Sequence, residues 1–327
     1  MIGGLIVKKI SLSVCLLLAL LFACNASFAA EWPTKPVTIL VGYSAGGSSD
    51  LGARFLARAL EKYLGQPVIV ENKPGSGSWV AWNQLLHNTP KDGYTFALTN
   101  LSMIFGAYDA TNPRKEGIDD FELLVNQAID YQVIAIHKDE TRFSDYASLI
   151  EYLKTKDLLV AAASTGITSG ESSIAKMMEK EFGSQLIVVP VEGSKDAETM
   201  FISKNTDILF GNVGDSTIGH NAGDFKVIVV FADERSSMLP EVPTATELGL
   251  GDYVSFSARG YSYAKGVDPA IVAKMTEALA KAVQDPDHIK AMTDMGIEVR
   301  LLQGDEYRET LEDQLEWRLA VWGIEKK

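Results

Sequence analysis

Short apolar runs alternate with helical patterns from residue 37 onward, and this alternation constrains the fold more than any other feature. Val37-Thr38-Ile39-Leu40-Val41 reads as a buried strand. A turn rich in glycine and serine follows, from Gly42 to Ser49. From Asp50 to Leu64 the residues Leu51, Phe55, Leu56, Ala59, Leu60 and Tyr63 recur at the 3.6-residue period of a helix, and Gly65 supplies its stop. Val68 to Val70 is a second strand, Trp79 to His87 a short helix, and Tyr94 to Leu98 a third strand. A βαβαβ series requires a parallel sheet with right-handed crossovers.

The same grammar returns later. Leu158 to Ala163 reads as a strand, Ser164 to Gly170 as a turn and Glu171 to Phe182 as a helix. Strands follow at Leu186 to Val189, Ile208 to Phe210 and Val227 to Phe231, with a short helix from Ala197 to Ser203. The patch Leu239-Pro240-Glu241-Val242-Pro243-Thr244 and a strand from Tyr253 to Ala258 look like a return crossing. Asp268-Pro269 opens a helix that runs to about Val283, with Asp as cap and Pro in the first turn. Helices near 286–295 and 305–322 flank a short strand near Ile297 to Leu301. The expected fold is α/β with two lobes and a hinged cleft between them. Lobe one takes residues 31–129 and 254–327, and lobe two takes 130–253. Ligands of such sheets bind outside the carboxyl ends of the strands.

Residues 1–30 read as a secretory signal peptide. Lys8 and Lys9 precede an apolar run from Ile10 to Ala23, and Ser27 and Ala29 fit a small-x-small exit. The expected location is the periplasm. A lipid anchor on Cys24 is the less favoured reading, because Phe22 is bulky for such a motif. Both cysteines, Cys15 and Cys24, lie in this segment, so the rest of the chain has no disulfide or thiolate chemistry. The whole chain carries a net charge of −13, and removing the leader makes it more acidic still. That balance argues against nucleic acid and anionic membranes as partners.

The first candidate site is the turn Gly42-Tyr43-Ser44-Ala45-Gly46-Gly47-Ser48-Ser49-Asp50 between strand and helix. Glycines let the backbone approach a ligand, and a helix start offers unpaired N–H groups to an anion. Gly42 to Gly46 also spells G-x-S-x-G, the nucleophile elbow of hydrolases, which makes a Ser44-dependent hydrolase the alternative enzyme reading. That elbow lacks upstream strands, and among the histidines only His220 falls in a plausible loop. The second candidate is Ser164-Thr165-Gly166-Ile167-Thr168-Ser169-Gly170, which mirrors the first. The third is Phe210-Gly211-Asn212-Val213-Gly214-Asp215, where Asn212 or Asp215 would meet the far end of a ligand and Asp215 would equally serve as a helix cap. Tyr43, Trp79, Phe105, Tyr261 and Tyr263 are candidate cleft aromatics, although most aromatics are core. No catalytic residue, cofactor or metal is expected: the phosphate-loop and dinucleotide motifs are absent, and no histidine pair has ligand spacing.

Several stretches carry a resemblance to a known family. They are Trp32-Pro33-Thr34-Lys35-Pro36-Val37, Gly46-Gly47-Ser48-Ser49-Asp50, Leu64-Gly65-Gln66-Pro67-Val68 and Val70-Glu71-Asn72-Lys73-Pro74-Gly75-Ser76-Gly77. Asp92-Gly93-Tyr94-Thr95, Val189-Pro190, Pro240-Glu241-Val242-Pro243-Thr244 and Glu247-Leu248-Gly249 complete the set. In order and spacing the chain resembles the solute-binding receptors of tripartite tricarboxylate transporters, often called Bug-type receptors. The resemblance implies a periplasmic Venus-flytrap receptor that delivers a small carboxylate-containing solute to a permease with a large and a small membrane subunit. A receptor that feeds a sensor kinase is the alternative within the binding class. It implies di- or tricarboxylates, aromatic carboxylates or amino acids as solutes. Carried over residue by residue, the ligand contacts are Tyr43, Ser44, Ala45, Gly46, Gly47 and Asp50 from the first turn, and Ser164, Thr165, Gly166 and Thr168 from the second. Two departures alter the cleft wall: Glu171-Ser172-Ser173 stands where many members have a histidine, and Pro190-Val191-Glu192-Gly193 replaces a Pro-Tyr-Lys/Arg-Gly pattern.

Overall fold

The computed structural model describes residues 32–108, 114–155, 158–163, 169–183, 185–249 and 253–326. The expected signal peptide and the Cys24 anchor lie outside them. The chain divides into a unit ending at Lys35 and a body from Pro36 to Lys327. The account below concerns the body.

Its first half runs β1 (Val37–Val41), α1 (Ser48–Leu64), β2 (Val68–Asn72), α2 (Trp79–Asn88), β3 (Thr95–Thr99) and the short α3 (Leu101–Phe105). Then come β4 (Phe121–His137), α4 (Tyr146–Leu153), β5 (Leu159–Ala163), α5 (Gly170–Phe182), β6 (Leu186–Pro190) and α6 (Ser194–Ile202). The remainder is β7 (Ile208–Asn212), α7 (Val213–Ala222), β8 (Phe225–Val230), β9 (Phe256–Ala264), α8 (Pro269–Val283), α9 (Pro286–Asp294), β10 (Val299–Leu302) and α10 (Gly304–Trp322). No described helix is long and apolar enough to cross a membrane.

The local signals act as the sequence predicts in several places. Gly65 takes the left-handed conformation and its N–H closes α1 on the Glu61 carbonyl. The Asp268 and Asp285 side chains cap α8 and α9, each with proline in the first turn. β1 pairs in parallel with β2 and β3, and β5 with β6 and β7. Other boundaries move. The strand expected at Tyr253 to Ala258 is β9, and begins at Phe256. The strand expected at Ile208 to Phe210 runs on through Gly211 and Asn212 as β7, and Val213 opens α7, which contains His220.

Sequence periodicity gives no element between Leu98 and Leu158, where the structure has α3, β4 and α4. β4 joins the two halves of the molecule. Phe121 to Tyr131 pair antiparallel with Ala264 to Phe256 of β9, and Gln132 to Ile136 pair with Asn212 to Ile208 of β7. At the change of partner three crossing segments are tied by backbone bonds. Phe231 N–H donates to the Gln132 carbonyl, Ser255 N–H to that of Phe231, and Gln132 N–H to that of Ser255.

Separate cores lie on either side of this junction. Trp79, Trp82, Phe105, Phe121 and Tyr307 pack in the first half. In the second, the alternation along β4 sends Ile134 and Ile136 into one core with Met178 and Phe210, and Val133 and Ala135 into another with Phe201 and Phe225. The fold is that of two-lobed α/β periplasmic binding proteins of the Venus-flytrap type.

Candidate functional site

The first turn is fixed from behind. Ser78 Oγ donates to the Gly42 carbonyl at 3.1 Å, and a Cβ on Gly42 would fall 2.7 Å from Ser78 Cα, so only glycine fits. The Asp50 carboxylate accepts from Gly46 N–H at 2.8 Å, from Arg54 and from Asn72 Nδ2 at 2.9 Å. Burial pushes the Asp50 carboxyl pKa up, but these donors outweigh it and hold the group below the usual range. Asn72 Nδ2 also donates to the Tyr43 carbonyl. Gly46 has φ +85 with open space where a Cβ would stand, so backbone conformation, not crowding, calls for glycine there.

The opposing wall comes from the second half. Ser169 caps α5 by accepting from Ser172 N–H, and Gly170 lies so close to Gln132 that a Cβ would be 2.6 Å from its Nε2. Gly193 precedes α6 and abuts the backbone of Ser44, while Ser44 Oγ donates to Asp196 of α6 at 2.8 Å. Asn212 precedes α7. Its Oδ1 accepts from Gln132 Nε2 and Ser257 Oγ, and its Nδ2 donates to Asp215 at 3.2 Å.

These pieces enclose one polar pocket at the ends of β1, β3 and β7. Of the residues in the candidate turns, Tyr43, Ser44, Gly47, Ser48, Ser49, Ser169, Gly170, Asn212 and Asp215 line it. Gly46 faces a neighbouring hollow with Gly214 and Ile218. Ala45 and Asp50 are not on the pocket wall; Asp50 tethers the turn instead. Ser164, Thr165, Gly166 and Thr168 lie outside the described residues. The remaining space is about 30 Å³, room for little more than a water or two.

Sequence reasoning missed Asn100, Arg259 and Arg318, which also line the pocket, as does Glu171 of the departure noted above. Asn100 caps α3 through Ser102 N–H and donates to the Tyr43 hydroxyl. Arg318 had a legible signal: it sits on the apolar stripe of Leu311, Leu315 and Trp322, where a solvent-facing charge does not belong. Arg259, in Ser257-Ala258-Arg259-Gly260, matches no motif. Conversely, Trp79, Phe105, Tyr261 and Tyr263 are core residues. The Tyr261 hydroxyl bonds Gln127, and that of Tyr263 bonds the Gly93 carbonyl.

Charge is concentrated at the floor. Arg259 is 4% exposed and donates Nη2 to Asp130, with an Asp215 oxygen 3.9 Å away. Its Nε and Nη1 have no hydrogen-bond partner among the described residues. Asp130 also accepts from Gly214 N–H at 3.0 Å. Burial raises the Asp130 pKa to about 6 against the pull of Arg259. Burial lowers that of Arg318 to about 10, with Glu171 acting the other way, so Arg318 stays cationic at neutral pH.

The elbow chemistry is not assembled. Ser44 bonds Asp196, while His87 bonds Glu116, His137 the Thr206 carbonyl, His220 Glu241 and His288 Gln127. Among the described residues, no cluster of His, Cys, Asp and Glu is arranged to hold a metal.

Comparison with known proteins bears on the family and the fold. A family model described as "Tripartite tricarboxylate transporter family receptor" matches residues 52–322. The "UPF0065 protein in gbd 5'region" of Cupriavidus necator is 28% identical over 300 residues, covering 90% of this chain and 88% of that protein. The structure of the periplasmic binding protein BugD superposes with a TM-score of 0.82 at 26% identity, covering 90% of this chain and all (100%) of that one. MatC from Rhodopseudomonas palustris, with bound malate, shares the fold with a TM-score of 0.79 at 23% identity, covering 89% and 100% of the two chains.

Proposed function

The chain belongs to the receptors of the tripartite tricarboxylate transporter family, and from that premise we propose that its pocket captures a small solute by a carboxylate group. As a member it is a periplasmic binding protein that serves such a transporter with a small solute. The carboxylate, the residues that hold it and the docking of the loaded receptor on a permease of large and small subunits are our reading. The observation that carries it is the convergence, on one buried pocket, of the starts of α1 and α5 with the guanidinium of Arg259. Helix starts present N–H groups and a positive dipole end, and a buried cation adds a charge-assisted bond.

The proposed lobes are residues 31–129 with 254–327, and residues 130–253. The proposed contacts from the first are Tyr43, Ser44 and Gly47, and from the second Asn212 and Asp215, with the segment from Ser164 to Thr168 completing that side. The pocket is too small to admit a solute as it stands, so entry requires the lobes to part. Contacts from both sides exist only when they meet, so a bound solute favours the closed state.

The test is a thermal-shift screen of protein unfolded and refolded to strip carried-over solute. Mono-, di-, tri- and aromatic carboxylates and amino acids form the panel. A compound that binds only the native state at 100 times its Kd adds about 2.7 kcal/mol of stability, a rise of several degrees. We expect a saturable rise from one carboxylate class. No rise with any carboxylate would remove the reading.

A further inference from the structure

The pocket floor holds a pattern of charge that goes beyond a site for an anion. Four of its lining residues carry charge at neutral pH, and they balance: Arg259 and Arg318 against Glu171 and Asp215. Asp130 stands directly behind, on Arg259. A solute with net negative charge would join a buried site that already holds at least as many carboxylates as guanidiniums. Its desolvation would find no surplus cation to offset it.

Two of these groups are incompletely used. Arg259 is nine-tenths buried or more, yet two of its nitrogens have no partner among the described residues. Among the described residues, Asp215 accepts one bond, at 3.2 Å, from the neutral amide of Asn212, and its nearest cation is Arg259 at 3.9 Å. An ionised carboxylate has about four lone-pair sites, so Asp215 retains capacity for a donor of three protons such as an ammonium. Its side chain is 11% exposed and on the pocket wall. A guanidinium and a carboxylate side by side, each with open valence, match a carboxylate and an ammonium side by side.

We propose that this receptor selects a zwitterion: an amino acid whose carboxylate meets the helix starts and Arg259, and whose ammonium meets Asp215. Such a solute adds no net charge to the site and satisfies both open groups. Asp215 is then the specificity-determining residue, and Arg259 is the anchor shared with any carboxylate. The inference rests on the pocket being the solute site, as proposed above.

Isothermal titration with matched pairs tests it: glutamate with glutarate, alanine with propionate, leucine with 4-methylpentanoate, phenylalanine with 3-phenylpropionate. The amino acid of the best-bound pair should bind at least about thirtyfold tighter than its des-amino partner, the effect of satisfying a buried charge. Asp215→Asn should abolish that preference by weakening the amino acid relative to its des-amino partner. The double variant Arg259→Gln/Asp130→Asn, which removes a buried pair without stranding either charge, should weaken both members. Equal or tighter binding of the des-amino acid, or a preference that survives in Asp215→Asn, would overturn the inference while leaving the carboxylate site standing. Binding by no member of either series would remove the site reading and this inference together.

Discussion

Asp50 and Asp215 each sit in the first turn of a helix at the pocket, yet only Asp215 faces it. The difference is in the partners. Asp50 is saturated by Gly46, Arg54 and Asn72, so its charge is spent on holding the turn. Among the described residues, Asp215 has one neutral donor and a distant guanidinium. The sequence places both at helix starts but does not say which way they turn, because Asn72 and Arg259 arrive from other strands. Buried titratable groups also set the pH response. Burial pulls the His288 pKa down to about 4, against about 6.5 unfolded. A depressed pKa means stability that is present above pH 6.5 and lost as the pH falls through 4. Asp130 acts oppositely: its pKa, raised to about 6, gives stability that is present below about pH 4 and lost as pH rises through 6. Between pH 7.5 and pH 4, wild type should lose about 3 kcal/mol more than His288→Gln, by denaturant titration at both pH values. Equal losses would mean that His288 is not buried as a neutral ring.

Among the elements, those with local signals were legible. The β1–α1–β2–α2–β3 series, the glycine stop after α1 and the aspartate–proline starts of α8 and α9 all follow from neighbours in sequence. β4 was not, because Asn126, Gln127, Asp130 and Gln132 interrupt its apolar run. Each is buried and bonded to a distant partner: the Arg300 carbonyl, the Gly52 carbonyl, Arg259 and Asn212. No window of local residues contains those partners. β4 and β9 pair along the middle of the sheet, and α10 packs on β4. A Cβ on Gly260 of β9 would collide with the Tyr307 ring of α10 and stand 2.9 Å from the Val125 carbonyl of β4. Gly260→Ala should therefore cost about 1–3 kcal/mol in chemical denaturation, since neither neighbour is a flexible tip. A change under about 0.5 kcal/mol, the size of an ordinary surface substitution, would contradict this packing.

For the whole molecule, fold and family were legible from ordered motifs spread along the chain, and the pocket was legible in part. The first turn marks one wall through its glycines. The floor was hidden, because Arg259 and Arg318 come from a strand and a helix late in the chain whose local patterns announce no site. An acidic protein thus places two buried arginines at its pocket, so the net charge of −13 says nothing about the local field. The central claim is that the two lobes close around a carboxylate-bearing solute. Residues 32–327 contain no cysteine, so dyes on Arg58→Cys and Glu181→Cys, both exposed and one in each proposed lobe, report the distance between them. Single-molecule energy transfer during titration with the carboxylate and amino-acid panel measures closure directly. The account predicts a saturable shift toward the short-distance population, with a midpoint that matches the calorimetric Kd. An unchanged distance distribution at saturating concentrations of a compound that binds would contradict it.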